Sequence, residues 1–319
     1  VKIIQVDISA EELGKNAGDP SLAIMGDINI VTSQLVSALH GWQYNISSTY
    51  IRSLKASIAK NEASAAKAAK VDKIPMTYGR TFDVIKETLH RLSPPEDGDV
   101  VYVSEGANTM DISRSVFPLE HPRLRLDAGT YATMGVGLGY AIAAHCAYNF
   151  PSPEAASGPK RGRKKIVCIE GDSAFGFSMA EVETMARYGM DILIFVVNNG
   201  GVYHGDSADI ETFLKKQHNT IEGSREGGLR SSSLGWEVGY EKIAQMCGGK
   251  GFLVRTPEEL ALATEEGFVA NVPVIVNVII EAGQAQKLVS LLLLKAHNEE
   301  GNVLSHWLAN AGEGICVAE

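Results

Sequence analysis

The order of apolar and polar positions divides the chain into regions of different period. From about Pro75 to Glu281, short apolar runs alternate with stretches whose apolar residues recur every three or four positions. The runs at 99–103, 165–170, 191–197, 251–254 and 273–280 are nearly continuous, as in strands covered on both faces. The stretches at 81–91, 133–148, 178–189 and 257–269 carry helical spacing. This alternation predicts an α/β domain: a parallel sheet with helices on both faces.

The ends read differently. Val1-Lys2-Ile3-Ile4-Gln5-Val6-Asp7-Ile8 reads as a buried strand, followed by a polar turn, a short strand at 23–27 and a helix from Val31 to Leu39. That order predicts the tail of a Rossmann-like central domain over residues 1–45. A domain rarely opens inside a core strand, so the chain is expected to be the C-terminal part of something longer. Residues 47–70 are rich in Ala, Lys and Ser, with Ile51, Leu54 and Ile58 at helical spacing, and predict an exposed linker helix within 46–74. The main domain is then expected at 75–287, with a divergent tail at 288–319.

Composition excludes several classes. The 319 residues carry 29 Lys and Arg against 38 Asp and Glu, a net charge of -9, which argues against a nucleic-acid partner. No apolar run reaches the ~18–20 residues of a membrane span. Cys146, Cys168, Cys247 and Cys316 show no metal-type spacing and predict inert thiols in a reducing compartment. The basic run Arg161-Gly162-Arg163-Lys164-Lys165 ends a Pro/Gly/Ser-rich insertion starting at Pro151, and in an acidic chain it reads as a solvated loop.

Candidate chemistry concentrates in one stretch. Ile166-Val167-Cys168-Ile169-Glu170-Gly171-Asp172-Ser173 leads through a helix to Ile192-Leu193-Ile194-Phe195-Val196-Val197-Asn198-Asn199-Gly200-Gly201. Twenty-four residues separate Ser173 from Asn198, which suits one crossover helix and a return strand. A right-handed crossover brings both strand ends to one sheet edge. If the strands are neighbours, ~4.8 Å apart, Asp172 and Asn199 converge where open α/β sheets bind ligands. One carboxylate, one amide oxygen and a backbone carbonyl make a half-filled oxygen set that suits Mg²⁺ completed by phosphate and water. Glycines at 171, 200 and 201 allow close approach, and the helix start after Asp172 offers N–H groups to phosphate. The stretch is therefore predicted to hold a Mg-diphosphate. The competing reading makes Asp172 and the two asparagines ordinary strand-end turn residues.

Gly171-Asp172-Ser173 followed at this spacing by Asn198-Asn199 resembles the thiamine diphosphate fingerprint, with Ser173 in place of the usual third glycine. One branch shares that serine: the 2-hydroxyacyl-CoA lyase and oxalyl-CoA decarboxylase group. Its marks here are Glu105-Gly106-Ala107-Asn108, Arg125-Leu126-Asp127-Ala128-Gly129-Thr130, Met134-Gly135-Val136-Gly137-Leu138-Gly139, Glu170 to Ser178, and Asn198 to Tyr203. The resemblance implies that Asp172, Asn199 and the Gly201 carbonyl bind Mg²⁺, while the backbone of Ser173 and Ala174 holds the diphosphate. It implies that Met134 props the cofactor into its bent form and that the Ala132 carbonyl accepts from the aminopyrimidine. Asn108, Gly135, Gly171 and Val202 fall in the same motifs and are expected to bind cofactor. Tyr203 is the candidate for moving a proton, with a packing tyrosine as the alternative, and His204 is a weaker second.

The implied activity is cleavage of a 2-hydroxyacyl-CoA to formyl-CoA and an aldehyde; oxalyl-CoA decarboxylation is the alternative. In this family the activating glutamate comes from the pyrimidine-binding domain of a partner subunit. The resemblance thus implies a homodimer or homotetramer, with this chain supplying the diphosphate half of the site and inactive alone. A truncated, non-catalytic cofactor-binding or interaction protein is the reading from another class. The implied location is peroxisomal or cytoplasmic, although Cys316-Val317-Ala318-Glu319 is no Ser-Lys-Leu-like signal.

Overall fold

The computed structural model describes residues 2–15, 19–129, 131–150, 162–224 and 226–282. The insertion at 151–161, Thr130, Cys316 and the tail at 288–319 lie outside the described residues. The chain divides into two compact units between Ala63 and Ser64.

In the first unit, β1 (Gln5–Asp7) pairs in parallel with β2 (Ala23–Met25), and Val6 lies opposite Ile24. The expectation of a buried strand over 1–8 is corrected: three residues form the strand, and Ile3, Ile4 and Ile8 are exposed. A two-stranded sheet has too little surface to bury its apolar positions. Asp27 caps α1 (Ile28–Ala38) by accepting from the N–H groups of Asn29 and Ile30, a local satisfaction of helix-end donors. The alanine- and lysine-rich stretch forms α2 (Thr49–Ala69), and the division between the units falls inside it.

After the last turns of α2, the second unit continues with α3 (Tyr78–Leu92), started by Thr77, whose side chain accepts from the Arg80 N–H. There follow β3 (Val100–Glu105), α4 (Ala107–Val116), β4 (Arg125–Asp127), α5 (Gly137–Asn149), β5 (Lys165–Gly171), α6 (Asp172–Ser178) and α7 (Glu181–Arg187). Then come β6 (Leu193–Asn198), α8 (Ile210–Ile221), α9 (Glu241–Met246), β7 (Lys250–Val254), α10 (Pro257–Val269) and β8 (Val274–Ile279). The strands form one parallel sheet in the order β4-β3-β5-β6-β8-β7.

Alternate residues of each strand feed opposite cores. Val167, Ile169, Phe195 and Val197 join Phe82, Leu89 and Leu260 from α3 and α10 on one face. Ile166, Cys168, Ile194 and Val196 join Leu138 and Ala141 of α5 and Met185 of α7 on the other. Burial on both faces is what the continuous apolar runs require. Cys168 is fully buried there, and Cys146 and Cys247 are half-buried free thiols.

Three element boundaries differ from the periodicity. The helix expected from 133 begins at Gly137, because Gly135 adopts a left-handed φ of 89° that a helix cannot contain. The helix expected over 178–189 is α7 at Glu181–Arg187, and a separate α6 that the pattern did not show fills Asp172–Ser178 before it. Helices α4, α8 and α9 and the three-residue strand β4 were absent from the pattern. Among the described residues, no helix is long and apolar enough to cross a membrane.

Candidate cofactor site

From β3 the chain passes through α4 to β4 on one side, and from β5 through α6 and α7 to β6 on the other. The carboxyl ends of β3 and β5 therefore sit where the connections diverge, the place where open α/β sheets leave a crevice. That crevice is lined by Tyr78, Asn108 and Thr109 from one side, Gly171 to Ala174 from the next, Gly201 to Tyr203 from the third, and Met134. The β5–β6 pairing, Gly171 opposite Val197, establishes the adjacency that the 24-residue spacing required.

Asp172 is buried at the floor. Its Oδ2 accepts from the N–H groups of Asn199, Gly200 and Gly201 at 3.2, 2.8 and 3.0 Å, and its Oδ1 accepts from the Ser173 N–H at 2.6 Å. Burial pushes its pKa up to about 6, against the pull of those N–H groups. Described salt bridges give it no cationic side chain. Asn199 donates its Nδ2 to the Tyr203 carbonyl at 2.9 Å and to the Tyr78 hydroxyl at 3.3 Å, while its Oδ1 is buried without a partner. A buried acceptor left open costs stability unless something fills it. A hard cation bound to Asp172 and Asn199 would supply positive charge to one and a partner to the other. Among the described residues, no cluster of three His, Cys, Asp or Glu side chains could hold a metal alone. Such a cation would complete its shell with carbonyl, phosphate and water oxygens. Uncapped by any side chain, α4 starts at Ala107 on the opposite wall, and its free N–H groups suit an anion.

The residues after Asn199 adopt an unusual backbone. Gly200, Gly201, Tyr203 and Gly205 all have positive φ, and Tyr203 does so at 63° despite its side chain. That twist turns the Tyr203 carbonyl inward, where it also accepts from Asn108 Nδ2 at 2.8 Å. Its ring stays exposed on the crevice rim.

Behind the crevice lie two buried carboxyl groups opposite one another in the sheet, Glu105 and Glu170. Glu105 accepts from the N–H groups of Gly135 and Gly137, which fixes the segment carrying Met134. Glu170 accepts from Cys168 Sγ at 3.3 Å, and its Oε2 has no partner. Burial first, then the neighbouring Glu105, pushes the Glu170 pKa up to about 8. Gly137 fits between them because a Cβ there would stand 2.1 Å from Glu170 Oε1 and 2.8 Å from Glu105 Oε2.

The crevice thus gathers Asn108, Met134, Gly171, Asp172, Ser173, Ala174, Gly201, Val202 and Tyr203. Asn199 reaches it from behind through its bonds to Tyr203 and Asp172. Gly135 and Ala132 stay outside the lining: Gly135 is turned back to Glu105, and Ala132 is exposed with a left-handed φ of 49°.

Residues 105–278 match the thiamine pyrophosphate enzyme C-terminal TPP binding domain. The chain belongs to that family. Among curated proteins it is similar to 2-hydroxyacyl-CoA lyase 1 of Homo sapiens, 41% identical over 291 residues covering 90% of this chain and 46% of that protein. It is also similar to the 2-hydroxyacyl-CoA lyase of Arabidopsis thaliana, 38% identical over 283 residues, 88% of this chain and 45% of that one. Oxalyl-CoA decarboxylase of Escherichia coli K12 is 29% identical over 301 residues, 94% of this chain and 48% of that one. The chain spans about half the length of these relatives.

Two residues that shape this crevice in a member of the thiamine pyrophosphate enzyme family were missed in the sequence. Tyr78 lies far upstream and touches Asn199 only through the fold, and burial pushes its hydroxyl pKa well up. Glu105 acts on Gly135 and Gly137 across 30 residues of chain, which no local pattern reveals. Glu105 stood inside a quoted motif, so its signal was present without its role.

Proposed function

We propose that this chain supplies the Mg-diphosphate half of a thiamine diphosphate-dependent carbon–carbon lyase that cleaves 2-hydroxyacyl-CoA to formyl-CoA and an aldehyde. The carrying observation is the buried Asp172 beside the partnerless Asn199 Oδ1, an arrangement completed by a divalent cation and its phosphate. In this reading Asp172, Asn199 and the Gly201 carbonyl hold Mg²⁺. Ser173 and Ala174 at the start of α6, with Asn108 at the start of α4, hold the diphosphate. Met134 supports the cofactor from the side, in the position that Glu105 fixes. When bound, thiamine diphosphate supplies the electron sink for carbon–carbon cleavage. Tyr203 holds and moves a proton at its Oη on the substrate side of the crevice. The acyl-CoA substrate and a partner subunit's pyrimidine-binding domain complete the site. The lyase is favoured over oxalyl-CoA decarboxylase by the higher identity of the lyases.

The test is calorimetric titration of this chain with thiamine diphosphate at fixed Mg²⁺. Binding is expected to need Mg²⁺, to vanish in Asp172→Asn and to weaken strongly in Asn199→Ala. Unchanged affinity in both variants sinks the metal assignment. In a complete enzyme, Tyr203→Phe should lower kcat ~10²-fold or more with a smaller change in KM. Both constants within about twofold would make Tyr203 a packing residue.

A further inference from the structure

Asn199 to Asp206 form a loop fastened at both ends by carboxylates. At the near end Asp172 collects three successive N–H groups. At the far end Asp206 carries a second set. Its Oδ2 accepts from Ser233 Oγ at 2.6 Å and from the Arg230 N–H at 3.1 Å, and its Oδ1 accepts from Lys216 Nζ. Lys216 also donates to the Asp206 carbonyl at 2.6 Å, and Arg230 donates its guanidinium to the Gly205 carbonyl. The Asp206 side chain is only 8% exposed, although its cationic partners Lys216 and Arg230 reach solvent, and charge strengthens these bonds.

Between the two fastenings, the loop lies against residues 230–234. Val202 N–H donates to the Ser232 carbonyl at 3.1 Å, and Leu234 N–H donates to the Gly200 carbonyl at 3.0 Å. Gly201 packs so closely there that a Cβ would stand 2.6 Å from the Ser232 carbonyl oxygen. The loop also folds back on itself. A Cβ on Gly205 would stand 2.0 Å from the Asn199 carbonyl oxygen, so the residue before Asp206 presses directly on the residue proposed to ligate the metal. A cavity lies behind the loop, bounded by Asn199, Gly200, Ser207 and Trp236, with Ser207 Oγ buried and unpartnered. A loop with space behind it stays in place only if something holds it.

We infer that Asp206 is a positioning residue: it fastens the far end of the Asn199–Asp206 loop to Lys216, Arg230 and Ser233, and so sets where Asn199, the Gly201 carbonyl and Tyr203 stand. It touches neither metal nor substrate. Its consequence for cofactor binding rests on the function proposed above, while its hold on the loop does not.

Two readouts separate these. Hydrogen exchange read by mass spectrometry on this chain reports the loop directly, without cofactor. In Asp206→Asn, which keeps the shape and removes the charge, exchange at 199–206 and 230–234 is expected to rise ~10-fold while β5, β6 and α10 keep parental protection. Ser233→Ala, a milder variant that leaves the charge pair in place, should give a smaller rise in the same segments. Unchanged exchange at 199–206 in Asp206→Asn overturns the inference. In the second readout, Asp206→Asn should raise the Kd for thiamine diphosphate at low Mg²⁺ by about tenfold and recover affinity as Mg²⁺ increases, since ligand positions rather than ligands are lost. A loosened loop with parental affinity at every Mg²⁺ concentration reduces Asp206 to a purely structural role and also overturns it. If the parent chain binds no Mg-thiamine diphosphate, the proposed function fails, and the exchange result alone decides whether Asp206 holds the loop.

Discussion

Two groups of buried acids at opposite ends of the main sheet are treated in opposite ways: Asp191 on one side, Asp172, Glu105 and Glu170 on the other. At the amino end, Asp191 accepts from His145 Nε2 at 3.1 Å and from Arg163 Nη2 at 2.5 Å, with Lys165 Nζ at 3.8 Å. Burial works against its ionisation, but the His145 hydrogen bond and the charges of Lys165 and Arg163 outweigh it and hold the carboxyl well below the usual range. At the carboxyl end, Asp172, Glu105 and Glu170 have N–H groups, the Ser173 hydroxyl, the Cys168 thiol and neighbouring carboxyls but no cationic side chain, and burial pushes all three pKa values up. A stable fold compensates its buried charge. The group without a cationic partner lines or backs the crevice, and on the function proposed above a bound cation would supply the positive charge that Asp172 lacks.

Removing an acid should therefore have opposite signs at Asp191 and at Glu170. The largest effect is expected at the compensated one: Asp191→Asn strands Lys165, itself only 8% exposed, and should cost about 3 kcal/mol in urea unfolding at pH 7. A loss below about 1 kcal/mol would break the contrast. Glu170→Gln should act the other way. The folded-state pKa of about 8 lies above the ordinary carboxyl value, so the native chain keeps a proton that the unfolded chain releases. The contribution of Glu170 is then full below its ordinary value of 4.5, falls at up to ~1.4 kcal/mol per pH unit until about pH 8, and is flat beyond. Glutamine carries no such proton, so melting curves of parent and variant should separate with rising pH, the variant gaining; parallel curves would remove Glu170 from the argument. The smallest effect belongs to an acid at neither end: Glu87, exposed and 3.5 Å from Lys70, should tolerate alanine within ~0.5 kcal/mol.

How much of this was legible depended on whether the signal was local. The core strands were readable because they carry continuous or nearly continuous apolar runs, the longest of them Ile192 to Val197. Asp172 and Asn199 were readable because one crossover separates them. Helix α4 was not, because Asn108, Thr109, Asp111, Ser113 and Arg114 give it a polar composition that resembles a loop, although Thr109 and Ser113 are buried in the fold. Helix α8, with Lys215, Lys216, Gln217 and His218 on successive positions, hides for the same reason. The delayed start of α5 depended on the backbone angle of Gly135 and the distant Glu105 that holds it, and neither is a property of the residues nearby. Asp206 belongs to this class, since its partners at 216, 230 and 233 meet only once the loops have folded.

β5 ends at Gly171 and α6 begins at Asp172, with no residue between them. The acid at the floor of the crevice is therefore joined rigidly to the central strand of the sheet and has no connecting segment to order. Ligands usually lose part of their binding free energy to the conformational entropy of loops that must settle around them. Here that loss should fall almost wholly on the loop after Asn199, and the entropy of association should report the state of that one segment.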